Sequence, residues 1–203
     1  MITRSAILLA CAVTVASSAQ SPTRVIEDGR LDYIELFVEK LPSSTDIAAG
    51  IVPFTAEGAN LGTGGPEGDE DEQKEAKQLQ QECPGIVASA FARTLGTRGG
   101  FKTAQEGATG AGLIVGGHFT ELNPGSRAKR YVVGFGAGKS AVAVEGDVKD
   151  AAGTLFAKFR QRRIAAMGMF GGDSVKKMRE DCKNIGEDLA AFLSAWAKGQ
   201  KLD

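Results

Sequence analysis

The sequence is poor in the residues that most often build metal and catalytic sites. Its 203 residues include one histidine, three cysteines and one tryptophan. A single histidine excludes a site with several histidine ligands. The formal net charge is -1, so no acidic or basic excess points to nucleic acid or to an anionic surface as a partner.

Long hydrophobic runs are also missing. The main apolar stretch, Ala6 to Ala16, is shorter than the roughly 20 residues that span a bilayer, so we predict no transmembrane span. Arg4 precedes this stretch and Ser17-Ser18-Ala19 follows it, which is typical of a secretory signal peptide over residues 1–19. We therefore expect export to the periplasm or outer membrane, with release into the medium as the alternative.

The apolar stretch contains a second processing signal. Leu8-Leu9-Ala10-Cys11 resembles the lipobox of bacterial lipoproteins, in which the cysteine becomes the lipidated first residue. The apolar residues continue beyond Cys11 to Ala16, whereas a lipobox ends at its cysteine. Lipidation at Cys11 and cleavage after Ala19 both stay open.

Removal of the signal peptide would leave two cysteines, Cys83 and Cys182. Exported proteins meet conditions in which thiols tend to oxidise. Both cysteines lie on the apolar faces of predicted helices, so they are a candidate disulfide. The alternative is two buried free thiols that pack as small hydrophobic groups.

The pattern of apolar residues predicts an α+β fold. Residues 20–32 are a polar lead-in, and one domain covers 33–203, with an acidic flexible loop at 56–72. We predict a mainly antiparallel sheet of about five strands with two long helices packed on one face. The strands are predicted at Tyr33–Glu39, Leu113–Phe119, Arg130–Phe135, Ser140–Val148 and Leu155–Arg163.

Two further segments have weaker strand patterns, and two have helical periodicity. Ile51–Phe54 is predicted as an edge strand because it contains Pro53, and Phe101–Thr103 as a short strand. Helices are predicted from Gln73 to Leu95, where Pro84-Gly85 either kinks the helix or divides it, and from an N-cap at Asp173 to Gly199.

One glycine-rich segment is similar to a phosphate-binding loop. It reads Gly134-Phe135-Gly136-Ala137-Gly138-Lys139-Ser140. The last three residues match the end of the G-x-x-x-x-G-K-[ST] motif, but Val133 stands where the first glycine of the motif should be. A strand pattern follows where the motif requires a helix. We interpret Gly134, Gly136 and Gly138 as a structural turn and predict no cofactor.

Basic residues cluster in two places that could form a partner surface. One cluster contains Arg127 and Arg130, and the other contains Lys158, Arg160 and Arg162. On a strand the last three would share one face, because side chains alternate between faces. Such a stripe suits an acidic partner or lipid headgroups, and a merely solvated sheet face is the alternative.

Several motifs together resemble the bacterial domain-of-unknown-function family 4410. They are Gly117-x-Phe119-x-Glu121, Pro124-Gly125-Ser126-Arg127, Arg130, Gly134-Phe135-Gly136-Ala137-Gly138 and Asp150-x-x-Gly153. The resemblance extends over about Tyr33 to Lys198 and implies an exported envelope protein, in some members a lipoprotein, with no assigned activity. The order of elements is also similar to accessory domains of envelope assembly factors, such as the curli secretion subunit and the N-terminal domain of TolB.

These observations favour a non-enzymatic envelope protein that binds a protein or a cell-wall component. No catalytic residue, metal ligand or cofactor site is predicted. The alternative is a small-molecule-binding or hydrolytic periplasmic protein that uses the turn from Gly134 to Ser140.

Overall fold

The computed structural model describes residues 21–26, 31–41, 45–62, 65, 69–125, 139–164 and 173–202. Two long helices and seven strands form these parts of the chain, and the predicted α+β class is confirmed. The strands are β1 Arg24–Ile26, β2 Tyr33–Leu36, β3 Ala48–Ile51, β4 Thr103–Glu106, β5 Leu113–Asn123, β6 Ala141–Asp150 and β7 Leu155–Ile164. The helices are α1 Glu70–Arg98 and α2 Ser174–Ala197.

All seven strands belong to one mixed sheet, in the order β1-β2-β7-β6-β5-β3-β4. The pairs from β1 to β5 are antiparallel, while β3 runs parallel to both β5 and β4. The sheet is mainly antiparallel, as predicted, but it has seven strands where about five were predicted, and the parallel pairing of β3 was not predicted. Strand β1 has only three residues, too few for alternation to identify it reliably, whereas β4 overlaps the predicted short strand Phe101–Thr103 at Thr103.

Two strands differ in place from their predictions. Strand β3 lies inside the sheet, between β5 and β4, and ends before Pro53, so the proline removes no hydrogen bond from it. Strand β1 forms within the predicted lead-in, where Val25 pairs with Glu35 of β2. The predicted strand Arg130–Phe135 lies outside the described residues.

Helix α1 continues through Pro84 as a single helix. The Asp69 side chain caps its N-terminus by accepting a hydrogen bond from the N–H of Glu72 at 2.8 Å. At the other end, Gly99 has a φ of 72° and donates its N–H to the Leu95 carbonyl at 2.8 Å. The acidic residues of the predicted loop therefore stabilise the start of this helix.

Helix α2 begins as predicted, with Asp173 as its N-cap. The Asp173 side chain accepts a hydrogen bond from the N–H of Lys176 at 3.0 Å. The two helices pack closely against each other at Gly186. A Cβ atom at this glycine would lie 2.4 Å from the carbonyl oxygen of Val87 on α1, so the crossing requires a residue without a side chain.

One face of the sheet packs against both helices and forms the core. Gly117 of β5 lies directly opposite Gly146 of β6, and their missing side chains leave room for two aromatic rings. The rings of Phe54 and Phe159 stack there, with their centroids 6.0 Å apart. The apolar residues of this sheet face join those of the helices in one buried cluster, which leaves the opposite face of the sheet free of both helices.

The β6–β7 hairpin is closed by the predicted Asp150-x-x-Gly153 turn. Asp150 accepts hydrogen bonds from the N–H groups of Thr154 at 2.7 Å and Ala152 at 2.9 Å. These bonds lower the pKa of Asp150, and Gly153 supplies a φ of 89°. Neither described helix is long and apolar enough to cross a membrane.

Candidate functional site: the open face of the sheet

The open face is the side of the sheet that points away from the helices. Strand alternation creates it, because every second residue of β2, β5, β6 and β7 points to that side. Along β7, Ala157, Phe159 and Gln161 are buried, whereas the intervening Lys158 and Arg160 are exposed. The polar residues of the open face on these strands are Tyr33, Glu35, His118, Glu121, Asn123, Glu145, Asp147, Lys149, Lys158, Arg160 and Arg162.

Lys158, Arg160 and Arg162 share this face, and acids stand beside them. In the β6–β7 register, Asp147 is directly opposite Lys158 and Glu145 is directly opposite Arg160. On the third strand, Glu121 accepts a hydrogen bond from the Nε of Arg162 at 2.8 Å, which raises the pKa of that guanidinium. Each of these cations therefore lies beside an acid on a neighbouring strand.

The charges of the described open face nearly balance. Its cations are Lys149, Lys158, Arg160 and Arg162, and its acids are Glu35, Glu121, Glu145 and Asp147. At its edge the exposed Asp32 lies beside Arg162 and adds one more acid. A surface with nearly equal and interleaved charges attracts neither a polyanion nor an anionic membrane strongly, because each attraction is offset by a nearby repulsion. It suits a partner that also carries both signs.

Aromatic rings of β2 and the segment after it hold two of the cations. The guanidinium of Arg160 lies 4.5 Å from the ring centroid of Tyr33, and the ammonium of Lys158 lies 5.9 Å from that of Phe37. The Tyr33 hydroxyl donates a hydrogen bond to Glu35 at 2.7 Å. These cation–π contacts order long side chains that would otherwise sample many rotamers.

His118 occupies the open face opposite Glu145 and is exposed. It is the chain's one histidine. Within the described ranges, no cluster of three or more histidine, cysteine or acidic side chains could hold a metal ion.

The predicted glycine turn and several predicted residues lie outside the described part of the chain. They are Cys11, Arg127, Arg130, Gly134, Gly136 and Gly138. Of the residues directly before β6, Lys139 is exposed and Ser140 is fully buried. Burial keeps the Ser140 hydroxyl away from any dissolved substrate in this conformation.

Cys83 and Cys182 meet between the two helices. Both are fully buried and both are free thiols in the structure. Burial and a hydrogen bond with Cys83 raise the pKa of the Cys182 thiol well above its usual value. The predicted neighbourhood of the two cysteines is therefore observed, while the disulfide itself stays a prediction.

An open groove of about 720 Å³ runs along the outer side of the helix pair, and sequence reasoning missed it. Gly85, Ile86 and Ala90 contribute apolar surface to it. The Arg179 guanidinium at its rim is paired with Glu82 at 2.7 Å, which lowers the pKa of Glu82. Since this ion pair bridges α1 and α2, its first role is to hold the helices together.

Comparison with known proteins gives one family match and two similar structures. The family model described as Domain of unknown function (DUF4410) matches residues 51–169. A variant PelC dodecamer from Paraburkholderia phytofirmans is 13% identical, with a TM-score of 0.44, over 77% of this chain and 95% of that one. A second PelC dodecamer from the same organism is 13% identical, with a TM-score of 0.43, over 74% and 92%. No curated protein matches the chain.

Proposed function

The chain belongs to the DUF4410 family, and we propose that it is an exported envelope protein that binds a protein partner and catalyses no reaction. The docking surface in this proposal is the open face of the sheet. Export is supported by the signal-like segment from Met1 to Ala19, with its positive start, apolar stretch and small residues.

The observation that carries the proposal is the nearly balanced charge of the open face. Lys158 lies between Glu35 and Asp147 of the adjacent strands, and Arg160 lies opposite Glu145. Tyr33 and Phe37 hold these two cations in place. Ordered charges of both signs discriminate between partners, since a wrongly placed charge on the partner is repelled. Proteins present such patterns, whereas simple polyanions do not.

The test is to reverse the charges of the open face. In the face variant, Lys158→Glu, Arg160→Glu and Arg162→Glu are combined. In the matched control, the exposed helix lysines Lys74, Lys77 and Lys176 become glutamate, so both variants lose three positive charges and gain three negative ones. Tagged wild type, face variant and control are then cross-linked chemically in the native cells.

We expect wild type and control to yield the same cross-linked protein complex and the face variant to lose it by about tenfold or more. Circular dichroism of each purified variant checks that the fold is retained. Equal complex formation by a folded face variant would contradict the proposed docking surface. Retention of all three proteins in the cytoplasm would contradict the proposed export.

A further inference from the structure

We propose that the partner fitting the open face is a second copy of this chain, an inference that rests on the proposed use of that face. The two copies would pack with their open faces together, related by a two-fold axis. Most homodimers have this symmetry, which requires one surface to be complementary to itself. The charge pattern of β6 and β7 meets that requirement.

The strand register makes the face self-complementary. Arg160 lies directly opposite Glu145, and Lys158 lies directly opposite Asp147. The two-fold axis would run parallel to the strands, between the two facing sheets and midway between β6 and β7. Rotation about this axis places β7 of one copy over β6 of the other and leaves each residue at the same position along the strand direction. Arg160 of each copy then faces Glu145 of the second copy, and Lys158 faces Asp147 of the second copy.

The opposed charges of these two rows are not paired with each other within one copy. In the described residues no ion pair joins Arg160 to Glu145 or Lys158 to Asp147, although each pair is adjacent. Arg160 instead lies on the ring of Tyr33, and Asp147 is bound by Lys149 at 2.6 Å. Gly116 of β5 has no side chain beside Asp147, which leaves room there for a charged side chain of a second copy.

The face is small for an interface between proteins. Strands β5, β6 and β7 have ten or eleven residues each and β2 has four. At about 3.3 Å per residue and about 4.8 Å between strands, they cover at most about 550 Å² on each copy, which is below the usual size of a specific interface. We expect a weak dimer that dissociates as salt is added, because exposed ion pairs are screened.

The test uses two single variants. Each variant alone should form a weaker dimer, and a mixture of the two should restore dimer formation. In Arg160→Glu, the new carboxylate of each copy faces Glu145 of the second copy, so acid meets acid. In Glu145→Arg, the new guanidinium of each copy faces Arg160 of the second copy, so cation meets cation. A mixed dimer of one variant with the other restores attraction between opposite charges. Analytical ultracentrifugation of the purified exported protein at low salt measures Kd for each variant and for their equal mixture.

We expect each single variant to raise the dimer Kd by about tenfold or more, and the mixture to return to within about threefold of wild type. The Lys158→Glu and Asp147→Lys pair repeats the design if a variant in the first pair does not fold. The exposed Lys77→Glu on α1 is the control and should leave Kd unchanged.

A wild type that stays monomeric, or a mixture that fails to recover, would overturn the second-copy inference. Chemical cross-linking in cells separates this failure from failure of the proposed function. A complex with a different protein that is lost in the triple face variant would overturn only the second copy, whereas no face-dependent complex at all would overturn both.

Discussion

The carboxylate of Asp188 on α2 accepts a hydrogen bond from the side-chain amide of Gln161 on β7 at 2.8 Å. The same oxygen also accepts a hydrogen bond from Arg163. Gln161 and Arg163 alternate along β7 with Arg160 and Arg162, which belong to the open face. A residue of the helix layer therefore fixes the strand whose other side carries the cationic row.

We predict that Asp188→Ala will destabilise the protein by about 1–3 kcal/mol, because it removes the acceptor of two donors, one of them charged. Asp188→Asn keeps an acceptor oxygen and should cost less. Chemical denaturation of the two variants measures the difference. Equal stability of wild type and Asp188→Ala would contradict a structural role for this contact.

A second prediction concerns the crossing of the two helices. The Cβ atom of Gly186→Ala would meet the Val87 carbonyl oxygen at 2.4 Å and the Phe91 backbone nitrogen at 3.0 Å, so the helices must separate. We expect a loss of about 1–3 kcal/mol in the free energy of unfolding.

The control for the helix crossing is Gly85→Ala on α1, where the new Cβ would meet nothing within 4 Å. Alanine favours a helix over glycine, so this variant should gain about 0.5–1 kcal/mol. Thermal and urea unfolding compare the two substitutions. A Gly186→Ala protein as stable as Gly85→Ala would show that the helices do not cross as described.

The third prediction concerns the glycines beneath the stacked rings. In Gly146→Ala the Cβ would lie 2.3 Å from the Gly116 carbonyl oxygen and 2.5 Å from a ring carbon of Phe159. We expect it to destabilise the protein by about 1–3 kcal/mol. At Gly116, on the same sheet, a Cβ would meet nothing within 4 Å, so Gly116→Ala should be close to neutral; a similar cost at both positions would contradict the packing.

The fourth prediction is that Cys83 and Cys182 form a disulfide in the exported protein. Protein isolated from the envelope without reductant should then have no alkylatable thiol after denaturation, and protein made without residues 1–19 in the cytoplasm should have two. Denaturation is needed because burial raises the pKa of Cys182 and suppresses its thiolate.

The chain-entropy model gives such a disulfide about 4–5 kcal/mol for a loop of about one hundred residues, before any native strain is subtracted. Oxidised protein should therefore unfold at a higher urea concentration than reduced protein. Two thiols that react in the envelope-derived protein would contradict the prediction.

Much of the fold follows from local pattern. The apolar spacing of Met178, Cys182, Ile185 and Leu189 identifies α2, and Asp173 marks its start. Both signals can be recognised from sequence because each depends on residues that are close together in the chain. Alternation likewise identifies most of β5, β6 and β7. At Pro84 the local signal left a kink or a division of the helix open, and the structure has one helix through it.

The composition of the open face could not be predicted in the same way. The stripe of Lys158, Arg160 and Arg162 follows from alternation, but its neutral surroundings depend on which strands lie beside β7. Strand β2, far away in sequence, supplies Tyr33 and Glu35. A register shift between Phe119 and Glu121 also turns Glu121 to the open face, where strict alternation would have placed it on the buried side with Phe119.

The central claim is that the open face is a docking surface, and site-specific photo-crosslinking in living cells tests it most directly. A photoreactive amino acid replaces Lys158 on the open face in one strain and Lys77 on α1 in another. The account predicts a discrete cross-linked complex from position 158 and none from position 77. No complex from position 158, or the same complex from both positions, would contradict it.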